Sequence, residues 1–220
     1  MAAATALRGE AGGAGAAGHR PVSPEPERQI HLVRHGETEW SRSGQHTGRT
    51  DIPLTDRGRR QAQAIGARLR DHRFALVLTS PSSRAADTAR LAGLPDAERT
   101  ADLMEWDYGA FEGRTTAQIR ETVPGWSIWK GPWPAGETPD QVSVRVDRVI
   151  ARCLAPDVTG DSLLFAHGHV LRVLAARWLR QTAPAGAHYA LGTATLSVLG
   201  WEHETRVIEL WNDACHIEDA

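Results

Sequence analysis

Two histidines far apart in the chain stand in matching settings, Arg34-His35-Gly36-Glu37-Thr38 and His167-Gly168-His169. Each follows a short apolar run. An imidazole can act as a nucleophile or exchange protons near neutral pH. Arg34, beside His35, presents a fork of N–H donors that matches phosphate geometry. Gly36 would let a ligand approach the backbone closely. A second arginine, Arg84, lies in Thr79-Ser80-Pro81-Ser82-Ser83-Arg84-Ala85-Ala86-Asp87-Thr88, where an apolar strand gives way to a helix. Helix starts favour anions, and an arginine there adds charge. Glu105 sits among Met104, Trp106 and Tyr108. Apolar surroundings favour the neutral form of a carboxyl, so Glu105 is a candidate proton donor.

Two arginines, two histidines and one carboxyl make poor material for a metal centre. Arginine does not ligate metals, and His167-x-His169 lacks further ligands at recognisable spacing. The sequence also has no Gly-x-x-x-x-Gly-Lys-Ser/Thr loop for nucleoside triphosphates and no serine in a Gly-x-Ser-x-Gly setting. The chemistry that fits is a phosphoryl group held by arginines and attacked by an imidazole.

The elements that must position these groups can be read from hydropathy. Ile30 to Val33 reads as a buried strand opening into a loop at Arg34. Thr55-Asp56 is a helix N-cap, with Ala62, Ile65 and Leu69 at helical spacing up to Arg70. Phe74 to Leu78 is a second strand, and Ser80-Pro81 starts a helix reaching about Leu91. Residues 104–136 look loop-like, with four of the eight tryptophans set among Gly and Pro. A helix from about Pro139 to Leu154 follows, then a strand over Ser162 to Ala166 and a helix over Val170 to Leu179. Leu191 to Leu199 and Thr205 to Leu210 read as strands paired through a turn near Gly200. Strands alternating with helices predict a three-layer α/β/α sandwich with a mostly parallel central sheet. Ligands of such folds sit at the carboxyl ends of strands, where both histidines fall.

At 220 residues, the chain suits one domain with a tail. Residues 1–28, rich in Ala, Gly and Pro, read as a disordered extension, and residues 29–220 as the domain. The net charge of −2 gives no drive toward nucleic acid or an anionic membrane. No apolar run approaches the roughly 18 residues of a spanning helix. Cys153 and Cys215 lack metal-ligand spacing and read as free thiols of a reducing compartment, so a cytoplasmic location is expected.

Leu32-Val33-Arg34-His35-Gly36-Glu37-Thr38, Arg84 in its Ser-Pro-x-x-Arg-Ala-x-x-Thr-Ala frame, Glu105 before Tyr-Gly-x-x-Glu-Gly, and His167-Gly168 occur in that order. Together they resemble the histidine phosphatase (phosphoglycerate mutase-like) superfamily, over about Gln29 to Trp211. The resemblance implies His35 as the residue that takes the phosphoryl group. It implies Arg34, Arg84 and His167 as its clamp, and Glu105 as the group that protonates the leaving oxygen and later activates water. It implies no cofactor and no metal. Ser41, Thr47, Gly48 and Tyr108 fall where family members contact substrate, although Ser41 replaces an asparagine common in the mutases.

Cofactor-dependent mutases of the superfamily carry a long basic insertion between the acid glutamate and the second histidine. Here 62 residues separate Glu105 from His167, with one lysine and no paired arginines. Hydrolysis is therefore favoured over phosphoglycerate mutase activity or a non-catalytic phospholigand-binding role. The spans Arg34 to Thr55 and Glu105 to Gly109 look most like sugar-bisphosphatases and bacterial acid phosphatases. The expected partner is a small phosphorylated substrate, and the resemblance leaves a homodimer open. Lys130, the only lysine, is expected on a loop with Trp126 and Trp129 that roofs the pocket and meets a second anionic group. His46 falls near the expected pocket mouth. His169 reads as orienting its neighbour, His31 as a core or edge histidine, and His72 has no supporting neighbours.

Overall fold

The computed structural model describes residues 28–217, so the expected N-terminal extension lies almost wholly outside the described residues. Six strands form one sheet: β1 (Ile30–Arg34), β2 (Leu76–Thr79), β3 (Glu98–Arg99), β4 (Ser162–Ala166), β5 (Leu196–Glu202) and β6 (Thr205–Asp213). Their order is β3-β2-β4-β1-β5-β6. The first four are parallel to their neighbours, whereas β5 runs antiparallel to both β1 and β6. Helices are α1 (Glu39–Ser43), α2 (Asp56–Leu69), α3 (Ser83–Leu91), α4 (Thr116–Thr122), α5 (Pro139–Cys153) and α6 (Gly168–Trp178).

Side chains alternate across a strand, so a strand buried on both faces feeds two cores. Leu32 and Leu164 pack with Val142, Val146, Leu171 and Leu174 of α5 and α6. Val33, Leu163 and Phe165 face the other way, against Ile65 and Leu69 of α2 and Ala89 of α3. That division is the expected three-layer sandwich.

The boundaries differ where periodicity was weak. The stretch read as loop contains α4, capped by Thr115 and Gln118 in a reciprocal box. It buries only Ile119, so it shows no apolar stripe. The strand expected from Leu191 begins at Leu196, and its hairpin turns at His203-Glu204 rather than near Gly200.

Candidate active site

β1 and β4 pair with Arg34 opposite Ala166, which sets the residues that follow side by side. The ladder continues past the strands. His35 N–H donates to Ala166 O at 2.9 Å, and Ser80 N–H to Phe165 O at 2.9 Å. His35, Ser80 and His167 therefore share the carboxyl end of the sheet, with the two imidazole centroids 5.2 Å apart.

His35 Nδ1 lies 2.7 Å from Gly36 O. A carbonyl only accepts, so Nδ1 carries the hydrogen and Nε2 keeps its lone pair. Burial, then the nearby Arg34 and Arg84 charges, pushes the His35 pKa well below the ordinary 6.5. The ring is thus neutral near neutral pH, with Nε2 the basic nitrogen. Gly36 does not serve close approach by a ligand, as its sequence setting suggested. A Cβ there would lie 2.3 Å from Gly58 O, and one on Gly58 would lie 2.1 Å from Glu37 O. The paired glycines let the first turn of α2 press against the loop carrying His35.

The two arginines differ in what they have left to give. Arg84 is fully buried, and its Nε donates to His167 Nδ1 at 3.1 Å. Its remaining donors reach the carbonyls of Thr50, Thr47 and Gly48 at 3.0–3.1 Å. Of five N–H groups, one remains. Arg34 donates through Nη1 to Leu191 O at 2.6 Å, while its buried Nε has no partner. Arg34 is therefore the richer source of donors, and Arg84 chiefly a buried charge. The Arg84 bond also settles the His167 tautomer: Nδ1 accepts, so Nε2–H donates to Ser80 Oγ at 2.8 Å.

Glu105 is buried, and its carboxylate caps the start of α6. Oε2 accepts His169 N–H at 2.9 Å, while Oε1 accepts Val170 N–H and Trp106 N–H, also at 2.9 Å. The apolar surroundings expected from the sequence are present, but they come with three backbone donors that the sequence did not reveal. Arg145, also buried, holds this segment from outside. It donates to the carbonyls of Asp102 and Glu105 at 2.9 and 3.2 Å, and to both Glu137 carboxylate oxygens at 2.9 Å.

Arg34, His35 and Glu105 line a cavity of about 180 Å³ together with Tyr108, His169 and Arg172, whereas the fully buried Arg84 and His167 are not part of that lining. With cationic side chains outnumbering its single carboxylate, the cavity suits an anion rather than a metal ion. Tyr108 Oη lies 2.6 Å from His169 Nδ1. Burial raises the Tyr108 pKa well above 10 and lowers that of His169 well below 6.5, so both are neutral. Ser41 and Thr47 also line the cavity. Gly48 does not: its carbonyl holds Arg84 and its N–H meets Glu112 at 2.9 Å.

Lys130 is exposed and stands outside the lining, because its loop folds down onto the domain. Trp126 is buried there and donates to Pro132 O. The cation that lines the cavity beside Arg34 is Arg172, with its guanidinium 4.7 Å from the Trp129 ring centroid and tied to Gly186 O and Ala187 O. Sequence reasoning missed it, although Arg172 falls three residues after His169 on one helix face, where neighbours are expected. His46, near the mouth as anticipated, lines the wall, and burial lowers its pKa to about 4.

Comparison with known proteins follows the same outline. The model of the histidine phosphatase superfamily (branch 1) matches residues 30–214. An acid phosphatase of Mycobacterium tuberculosis is 44% identical over 177 residues, 80% of this chain and 87% of that protein. A sedoheptulose 1,7-bisphosphatase of Saccharomyces cerevisiae is 38% identical over 178 residues, 67% of this chain and 66% of its own length. A solved structure from an open reading frame of Mycobacterium tuberculosis superposes with a TM-score of 0.82 at 41% identity, covering 85% of this chain and 98% of that one.

Proposed function

The chain belongs to the histidine phosphatase superfamily, and from that premise we propose the following division of labour at its site. The protein is a phosphatase, a hydrolase acting on phosphomonoesters of small metabolites such as sugar phosphates. The observation that carries the mechanism is the His35 tautomer: Nδ1–H is spent on Gly36 O, which leaves Nε2 for phosphorus.

In the first step the Nε2 lone pair forms the N–P bond as the bond from phosphorus to the leaving oxygen breaks. A proton from Glu105 neutralises that oxygen. In the second step Glu105 takes a proton from water, whose oxygen attacks phosphorus as the N–P bond breaks. Inorganic phosphate leaves, and His35 returns to its neutral form. Phosphoryl transfer needs mostly positioning and stabilisation of charge on the equatorial oxygens. The unpartnered Arg34 Nε and its free donors meet those oxygens, and Arg84 adds a buried positive charge. His167 joins the clamp by turning its Nε2–H from Ser80 Oγ to the phosphoryl oxygen. On Glu105, Oε2 is the working atom, because Oε1 already receives two N–H donors.

Arg172 and His46, which also line the cavity, suit a substrate with a second anionic or polar group, in keeping with the bisphosphatase named among the relatives. Cys153 and Cys215 share no disulfide, which supports a reducing, cytoplasmic setting. Among the described residues no helix is long and apolar enough to cross a membrane.

Phosphate release with EDTA present, from a panel of p-nitrophenyl phosphate, sugar mono- and bisphosphates and 3-phosphoglycerate, tests this reading. Release from the native chain and none from His35→Ala is expected. Activity confined to 3-phosphoglycerate isomerisation with a bisphosphate primer would replace hydrolase by mutase.

A further inference from the structure

At the opposite end of the sheet from the phosphatase cavity, two histidines and an aspartate converge. His31 is the second residue of β1, His72 lies between α2 and β2, and Asp161 immediately precedes β4. One potential ligand atom from each falls within 4.8 Å of the others. His72 Nε2 is 2.8 Å from Asp161 Oδ2, and His31 Nε2 is 4.0 Å from the same oxygen. The two imidazole centroids are 4.6 Å apart, and Phe74 packs against both rings, so neither ring is free to swing.

We propose that His31, His72 and Asp161 form a structural site for a divalent transition-metal ion of the zinc type, separate from the phosphatase cavity. Zinc takes imidazole nitrogen and carboxylate oxygen at about 2.0–2.2 Å, which places tetrahedral ligand atoms about 3.3 Å from one another. The observed 2.8 and 4.0 Å bracket that separation, differing from it by about 0.5 and about 0.7 Å, and all three ligand atoms lie within 4.8 Å of one another.

The outer groups are already in place. Gln29 N–H donates to Asp161 Oδ1 at 2.8 Å, which orients the carboxylate and leaves Oδ2 for the ion. Gln29 Oε1, 3.2 Å from His31 Nε2, stands where a fourth oxygen donor would complete the set. The side chains of His72 and Asp161 are 37% and 24% exposed, so the ion can enter from water. An ion pair between His72 and Asp161 accounts for two of the three residues. It leaves out His31, whose Nε2 also reaches Gln29 Oε1 and whose buried Nδ1 has no partner. Binding at His31 Nε2 would move the ring proton to Nδ1, a buried donor without a partner, which lowers the affinity of the site. Because the ligands come from three segments distant in sequence, the ion would tie together the amino ends of β1 and β4 and the entry to β2, raising stability rather than catalysing.

The test uses the full chain without a histidine tag, stripped with EDTA and dialysed. Zinc is titrated by calorimetry against native protein, His72→Ala, Asp161→Asn and Cys215→Ser, and melting is followed with and without zinc. The last variant removes a second grouping, Asp213, Cys215 and His216. We expect one equivalent of zinc and a rise in Tm of about 5–10 °C at a hundredfold excess over Kd. Both effects should vanish in His72→Ala and Asp161→Asn and persist in Cys215→Ser. Phosphate release by all three variants should stay within twofold of native, which keeps this test independent of the catalytic reading. Zinc binding unchanged in His72→Ala, lost in Cys215→Ser, or unaccompanied by a Tm shift would overturn the proposal.

Discussion

Replacing Arg145 with Met should damage both stability and turnover, for separable reasons. The Arg145 and Glu137 side chains are 8% and 17% exposed, and two 2.9 Å bonds join them. Removing one partner of a buried pair costs about 3–5 kcal/mol, and here the Glu137 charge would be left largely buried with the Asp107 N–H as its remaining donor. Against a total stability of about 5–15 kcal/mol, that is a large fraction. For a chain of this size, about 4 kcal/mol corresponds to a Tm drop of about 8–16 °C. The carbonyls of Asp102 and Glu105 lose their donor at the same time, so the segment that aims Glu105 is released. A displacement near 1 Å in a catalytic group costs about 10²-fold in rate. The assay is urea unfolding together with kcat for phosphate release, on Arg145→Met, Glu137→Gln and the double variant. Neutralising Glu137 in the double variant should recover about 2 kcal/mol of the stability but little of kcat, since the carbonyls remain without Arg145. If Arg145→Met melts within 2 °C of native and turns over within about twofold, the claimed positioning of Glu105 is wrong.

Other predictions follow from the same geometry. Gly58→Ala should destabilise by about 1–3 kcal/mol and slow turnover, because its Cβ would sit 2.1 Å from Glu37 O beside the His35 loop; unchanged urea midpoint and kcat would contradict this. His35, His46, His167 and His169 all have folded pKa values below the unfolded 6.5. Below pH 6.5 the unfolded chain therefore binds more protons, so stability should be fully present above pH 6.5 and fall as the pH drops through the folded values. A urea midpoint that stays flat or rises from pH 6.5 to 5 would oppose that assignment. Arg172→Ala should raise KM for a sugar bisphosphate by about 10–100-fold, the worth of a charged hydrogen bond, and Lys130→Ala should leave it unchanged. Equal KM values for all three proteins would remove Arg172 from substrate recognition.

The residues proposed as catalytic were legible because each sits beside a strong local signal. His35 and His167 end short apolar strands, and strand ends in a parallel sheet converge. Arg84 follows a strand at a helix start, and the apolar neighbours of Glu105 marked it as buried. What the sequence hid was long-range pairing. Nothing local says that Gly36 meets Gly58, that Arg145 reaches back some forty residues to the Glu105 backbone, or that the start of α6 supplies N–H donors to Glu105. Lys130 was singled out by its charge and its tryptophan neighbours, yet composition cannot tell a loop that roofs a pocket from one that packs onto the core. His31 and His72 looked unremarkable for a related reason: 41 residues separate them, and only the sheet brings them together.

The central claim is that His35 Nε2 carries the phosphoryl group between the two steps. Mixing the native chain with excess substrate, quenching in base within milliseconds and mapping the phosphorylated peptide by mass spectrometry tests it directly. One base-stable phosphoryl group is expected on the peptide containing His35, appearing before phosphate is released and absent from His35→Ala. Phosphate release with no such adduct at any time, or an adduct on His167 or another residue, would contradict it.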